Sequence, residues 1–328
     1  MAKPLTTYLH FPCFDGVISA VLAGEYSRQK LGWDARELVP VDYDAKDTWI
    51  KRRLAKPAAV VDFLYHPDAT LWADHHQTSF LSESLRDDYR KKASDLLIYD
   101  AQSKSCSSLL WRKFGRVLRE ERLREMVQWA DRIDGAKYNS VKEAVLGSTP
   151  ALRISFSLMS DSSAEYCQYL VHSLSKGSLW DVSHTKRVSE NYKRVRDGIQ
   201  KGLGVFKKAS HLQKNGIVVY DVESAGNAMV SRYAPYYFFP QARYSIGVTR
   251  TADKARITAM RNPWRRFKSQ PLGQIFEKYG GGGHQRVASV VVERSRDAEL
   301  PVLIDAILRD IQDNSARTTR DQEVVTGD

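Results

Sequence analysis

The segment AAVVDFL, residues 58 to 64, sets one aspartate inside an otherwise unbroken apolar run. A strand that is apolar on successive residues must be covered on both faces, which is the environment of a parallel sheet flanked by helices. The surrounding residues support that reading. Thr6 to Phe11 reads as a first strand, Val17 to Lys30 as an amphipathic helix and Glu37 to Tyr43 as a second strand. A short helix over Thr48 to Leu54, the strand Ala58 to Leu64 and another over Ala69 to Ala73 follow. This alternation of strand and helix is the pattern of an α/β fold with a parallel sheet.

From about residue 95 to 175 the pattern becomes mainly helical. LREMVQWADRIDG carries apolar residues at helical spacing and ends on a glycine, a common helix stop. Strand character returns in GIVVYDVE, RYSIGVTR, KARITAMRN and VASVVVE, with helices expected around Gly226 to Ala234 and Pro271 to Tyr279. The amphipathic segment LPVLIDAILRDIQD closes a second, smaller α/β domain. The expected organisation is a first domain over 1–178, a connecting helix over 179–206, a second domain over 207–314 and a frayed polar tail over 315–328.

Lysine and arginine number 50 against 39 acidic residues, a net charge of +11 that favours polyanionic partners. The three cysteines, Cys13, Cys106 and Cys167, form no CxxC pair, which argues against a zinc knuckle or disulfide scaffold and fits a reducing compartment. No apolar run is long enough to span a bilayer and the first residues lack a signal core, so a cytoplasmic protein is expected.

Acids and imidazoles gather near the ends of the predicted strands. His10 closes the first, and Asp15-Gly16 opens the helix after it. Asp62 lies in AAVVDFL, Asp74-His75-His76 follows TLWA, and Asp131 sits in QWADRIDG. Ligand sites in open parallel sheets collect at the carboxyl ends of strands, so the first three features are expected to converge. Carboxylates with imidazoles suit Mn²⁺ or a related divalent ion. Asp62 is the natural bridge between two such ions, which would generate hydroxide and clamp phosphoryl oxygens. Each residue alone has a plain structural explanation: a buried aspartate at a turn, a core histidine, a solvated helix face. Their order and spacing as a set are what point to a metal site.

ADHHQT, preceded by VVDF and followed by WADRIDG, resembles the DHH phosphoesterase superfamily, and IFEKYGGGGHQRVAS resembles that family's C-terminal domain with its GGGH motif. The resemblance covers about residues 5 to 310. It implies an N-terminal parallel-sheet domain holding two Mn²⁺ ions (Mg²⁺ or Co²⁺ being substitutes), and a C-terminal domain holding substrate across a cleft. By resemblance, His10 and Asp15 hold one ion, Asp62 bridges, and His75 with Asp131 holds the second, Asp134 being the alternative to Asp131. His76 would face the phosphate and attacking water, and Asp74 would orient His75 from behind. The sequence departs from the family at the first motif, where HFPCFDG puts Pro12, Cys13 and Phe14 where other carboxylates commonly stand. Cys13 reads as a structural thiol rather than a ligand.

In the second domain the resemblance implies that Gly282, Gly283 and His284 contact a phosphate or base and that Arg261 grips a phosphate. In NPWRRFK, Arg265, Arg266 and Lys268 interleave with Trp264 and Phe267, which suits single-stranded nucleic acid. KRRLAK and YKRVR read as solvated helix faces. The expected activity is hydrolysis of short single-stranded RNA or DNA to mononucleotides. The alternatives are a hydrolase of cyclic dinucleotides or 3′-phosphoadenosine 5′-phosphate, and a catalytically weakened nucleic-acid-binding module. A homodimer is compatible with this reading, and no membrane partner is expected.

Overall fold

The computed structural model describes residues 3–92, 94–223 and 228–323, with side chains through 312 except that of His284. The chain forms two compact units, one of residues 1–139 and 147–196 and one of 140–146 and 197–328.

The first unit opens with β1 (Lys3–His10), α1 (Phe14–Tyr26), β2 (Trp33–Val41), α2 (Lys46–Trp49), β3 (Ala58–Val61), β4 (Leu71–Asp74), α3 (Glu83–Lys92) and β5 (Leu97–Tyr99). The five strands form one sheet in the order β2-β1-β3-β4-β5, parallel throughout. Alternate residues of each inner strand enter different cores. Leu5, Leu9, Ala59, Val61, Leu71 and Ala73 pack under the helices, while Tyr8, Ala58, Val60 and Trp72 join an aromatic layer with Trp49, Phe63 and Tyr65. Both faces are therefore buried, as the apolar run at 58 to 64 requires.

The helical region adds α4 (Cys106–Phe114), α5 (Glu121–Asp134), α6 (Val141–Leu146), α7 (Pro150–Ser157), α8 (Ala164–Lys176), α9 (Leu179–Ser183) and α10 (Lys186–Lys208), with α6 belonging to the second unit. The segment expected as one connecting helix is two, α9 and α10, and the division between units falls inside α10 after Arg196.

The second unit contains β6 (Ser210–Leu212), β7 (Ile217–Glu223), α11 (Ala234–Phe238), β8 (Tyr244–Arg250), β9 (Lys254–Arg261), α12 (Leu272–Glu277), β10 (Gly282–His284), β11 (Val287–Glu293) and α13 (Leu300–Glu323). Its six strands run β10-β11-β9-β8-β7-β6, with only β7 and β8 parallel among them. Leu272, Ile275 and Phe276 of α12 and Ile307, Leu308 and Ile311 of α13 pack on Ile246, Ile257 and Val290 of the sheet.

Several boundaries differ from expectation. The first helix begins at Phe14 and widens into a π turn over Ser27–Leu31 that stops at Gly32, whose φ of 65° suits glycine. The third strand ends at Val61, because Asp62 turns into the left-handed region at φ 57°. The helix expected around 226–234 starts only at Ala234, where Pro235 fits the first turn; residues 224–227 lie outside the described residues. Instead of fraying at Ser315, the last helix continues to Glu323 through a stretch without glycine or proline. Residues 324–328 of the expected tail lie outside the described residues.

Candidate metal centre

The strand order reverses direction between β1 and β3, and such a switch point opens a crevice at the carboxyl ends of the strands. His10 is the last residue of β1, Asp62 follows the last residue of β3, and Asp74 is the last residue of β4. The Asp62 amide donates to the Ala73 carbonyl at 2.9 Å, which fixes its left-handed turn beside β4. Gly16 lets α1 begin directly against β1: a β-carbon there would lie 2.0 Å from the His10 carbonyl oxygen and 3.4 Å from Asp62 Oδ2.

Three overlapping groups of side chains in this crevice have ligand atoms within 4.8 Å of one another: His10, Cys13 and Asp62; Asp62, His75 and His76; and Asp15, His75 and Asp134. Asp62 faces two ways. Its Oδ2 lies 3.3 Å from His10 Nδ1 and its Oδ1 lies 3.7 Å from His75 Nε2. His75 Nε2 is also 3.8 Å from Asp15 Oδ2 and 3.6 Å from Asp134 Oδ2. Its Nδ1 donates to the Ser103 carbonyl at 3.3 Å, which sets the ring so that Nε2 points inward.

This arrangement differs from the expected one at several residues. Asp131 does not reach the crevice, because its carboxylate accepts from Ser105 Oγ at 2.6 Å and Ser108 Oγ at 2.8 Å at the start of α4. Asp134, the last residue of α5, stands where Asp131 was expected. Asp15 groups with His75 and Asp134 rather than with His10, and the partner of His10 is Cys13. Asp74 holds a different ring: its Oδ1 accepts from His76 Nδ1 at 2.8 Å and from the His75 amide, while its Oδ2 accepts from Ser79 Oγ. The Ser103 carbonyl, rather than Asp74, orients the His75 ring. Nothing in the spacing of WADRIDG separates Asp131 from Asp134, and a backbone carbonyl leaves no mark in sequence. The H-x-x-C spacing of His10 and Cys13 was the available signal for the cysteine.

The electrostatics follow from crowding of carboxylates in a buried space. Burial, with Asp15, Asp74 and Asp134 adding repulsion, holds the Asp62 carboxyl well above its ordinary range. Asp134 is pushed up to about 6, by burial first and then by Asp15. Burial lowers His10 against the opposing pull of Asp42. For His76, burial is outweighed by the hydrogen bond and charge of Asp74, and its pKa rises.

Two buried atoms in this crevice, Asp62 Oδ1 and His75 Nε2, have no hydrogen-bond partner. Buried polar groups left in this state are costly, and a bound ion is a standard resolution. The donors are carboxylate oxygen and imidazole nitrogen, the chemistry that suits a manganese-like divalent cation. The residues present therefore fit such ions.

In the second unit, Arg261 stacks on Phe267 with its guanidinium 4.4 Å from the ring centroid, and donates to the carbonyls of Asn262, Arg265 and Phe267. It lines a cavity of about 410 Å³ with Gln270, Gln285 and Arg286. Trp264 packs against Tyr233 and Tyr236, at ring distances of 5.5 and 6.4 Å, and Arg265 reaches the Gln241 carbonyl. Arg266 is exposed. The glycine run lies against β11: a β-carbon on Gly283, at φ 149°, would meet the Val287 carbonyl at 2.5 Å. Gly282 has open space around it. The side chain of His284 lies outside the described residues.

Among the described residues no helix is long and apolar enough to cross a membrane. No protein-family model matches the chain, and no curated protein matches it in sequence. Its structure is similar to that of PggH, a pGpG-specific phosphodiesterase from Vibrio cholerae, at a TM-score of 0.70 and 19% identity over 94% of this chain and 99% of that one. It is also similar to the DHH domain of a member of a family of ribosomal proteins, at 0.60 and 14% over 94% and 87% of the two chains. A third similar structure is RecJ from Thermus thermophilus in complex with Mn²⁺, at 0.57 and 14% over 96% of this chain and 52% of that one. The chain thus shares the fold of these three proteins along nearly its whole length, and Asp74, His75 and His76 stand at the end of its β4.

Proposed function

We propose that the chain is a divalent-metal-dependent phosphodiesterase that cuts short single-stranded oligonucleotides to mononucleotides, a linear dinucleotide being the shortest substrate. The observation that carries this reading is the convergence of three donor groups on one crevice around Asp62 and His75, with Asp62 Oδ1 and His75 Nε2 buried and unpartnered. The likeness to a pGpG-specific phosphodiesterase favours the dinucleotide end of the range.

His10, Asp62, Asp15, His75 and Asp134 are the residues that would hold the ions. Divalent ions in such a site supply hydroxide at neutral pH and offset the charge of the phosphoryl oxygens. His76 contributes a proton. Its Nδ1 is tied to Asp74, whose other oxygen is held by Ser79, so the ring is fixed with Nε2 left to meet a phosphoryl or leaving oxygen. Arg261 and Arg286 give the second unit positive charge around one cavity, suited to a terminal phosphate.

The test is turnover of labelled linear dinucleotide, long single strand, cyclic dinucleotide and 3′-phosphoadenosine 5′-phosphate with Mn²⁺. The dinucleotide should be cleaved fastest, and Asp62→Asn or His75→Ala should abolish cleavage. Turnover confined to the cyclic or mononucleotide substrate would overturn the substrate class. RNA binding without any turnover, unchanged by Asp62→Asn, would overturn the enzyme.

A further inference from the structure

We infer that the two ion positions differ in kind: His10, Cys13 and Asp62 form a sulfur-containing site that takes a borderline cation such as Zn²⁺, Co²⁺ or Fe²⁺, while Asp15, His75 and Asp134 take a manganese-like ion. This inference deepens the metal-dependent reading above and rests on it.

Cys13 lies on the short connection between β1 and α1, three residues after His10, and one ligand atom from each of Cys13, His10 and Asp62 falls within 4.8 Å of the others. Cys13 is also the N-cap residue of α1, yet its side chain makes no capping hydrogen bond. That position ordinarily favours serine, threonine, aspartate or asparagine, whose oxygens serve the helix. The thiol here lies beside His10 and Asp62 instead.

A second observation points to a ligand independently of the cysteine. Asp62 is 1% exposed, and its Oδ1 has no hydrogen-bond partner. With Oδ2 beside His10 and Oδ1 beside His75, the carboxylate belongs to both sites at once. The remaining cysteines are elsewhere: Cys106 donates its thiol to the Ala73 carbonyl at 3.1 Å, and Cys167 is buried in the helical core.

Ligand chemistry then separates the two positions. Thiolate sulfur selects softer ions, and a site of imidazole, thiolate and carboxylate matches zinc-like cations, whereas two carboxylates with one imidazole suit manganese or magnesium. As the sulfur–metal bond forms, the S–H bond breaks and its proton leaves to solvent.

The full chain, stripped of metal, would be titrated with Co²⁺ and followed by absorption spectroscopy and by metal content. Thiolate-to-cobalt charge-transfer absorption should appear, be displaced by Zn²⁺ and resist Mn²⁺. Cys13→Ser and Cys13→Asp should lose that band while still binding cobalt at the other position. Zn²⁺ affinity should fall by at least about tenfold, the lower bound for losing even an outer partner of a ligand. In the unaltered protein, Zn²⁺ should protect the half-buried Cys13 from a thiol reagent, a readout that needs no variant. Cobalt bound without charge transfer, a band that persists in Cys13→Ser, or labelling of Cys13 indifferent to Zn²⁺ would overturn the sulfur site and leave the metal-dependent reading standing. Absence of any cobalt binding would overturn both.

Discussion

Replacing Asp134 by asparagine should make the metal-free protein more stable and the metal-loaded protein less so. Asp134 has its carboxyl raised from 3.8 to about 6 by burial and by Asp15. At about 1.36 kcal/mol per pKa unit, ionising it costs the metal-free fold up to about 3 kcal/mol. Its side chain is 30% exposed, and solvent screening reduces that cost to roughly 1–2 kcal/mol. Because the folded pKa lies above the unfolded one, the associated stability is fully present below 3.8 and is lost as the pH rises through about 6. Near neutral pH the wild type bears the whole penalty, and an uncharged asparagine bears none. With chelator present, Asp134→Asn should therefore melt a few degrees higher than wild type, at about 2–4 °C per kcal/mol for units of this size. The difference should shrink as the pH falls toward 3.8. Adding Mn²⁺ should raise the melting temperature of the wild type and leave the variant nearly unmoved. Asp131→Asn is the contrast. It weakens the acceptor for Ser105 and Ser108, should cost about 1 kcal/mol, and should keep the full response to Mn²⁺. An Asp134→Asn protein less stable than wild type without metal at neutral pH, or loss of the Mn²⁺ response in Asp131→Asn instead, would refute these assignments.

Gly16→Ala would put a methyl group 2.0 Å from the His10 carbonyl oxygen, so it should cost about 1–3 kcal/mol in denaturant unfolding and weaken metal binding. An unchanged unfolding midpoint would contradict the close approach of α1 and β1. Asp74→Asn removes the charge that raises His76 and leaves burial to dominate, so NMR titration of the metal-free protein should show the His76 pKa falling. A His76 pKa unaffected by this change would refute the role given to Asp74.

Much of the architecture is written in hydrophobic pattern. The α/β alternation up to Ala73 is readable because inner strands such as AAVV are apolar on both faces, and the ends of three such strands carry His10, Asp62 and Asp74. Pattern fails where elements are short. β5, β6 and β10 have three residues each and lie at sheet edges, too few to show a period. In the candidate site, the residues at strand ends are legible because topology brings such ends together. The choice between Asp131 and Asp134 depends instead on how α5 is rotated against α4, which the two serines Ser105 and Ser108 reveal only once folded. The glycine run is explained in part by packing, since Gly281 and Gly283 both press on the β11 backbone. Trp264 is likewise part of an aromatic cluster with Tyr233 and Tyr236, a placement that NPWRRFK does not announce.

Asp15 carries a consequence for how cations arrive. Its carboxylate accepts from the Cys106 and Ser107 amides, at 2.7 and 2.9 Å, and from the Ser107 hydroxyl, so it closes the first turn of α4. The positive end of that helix spreads part of the negative charge away from the crevice. One wall of the cage is thus locked in place by amide hydrogens before any ion enters. Loading becomes capture by a ready-made receptor rather than a step of folding, and cations can exchange without the sheet having to be rebuilt.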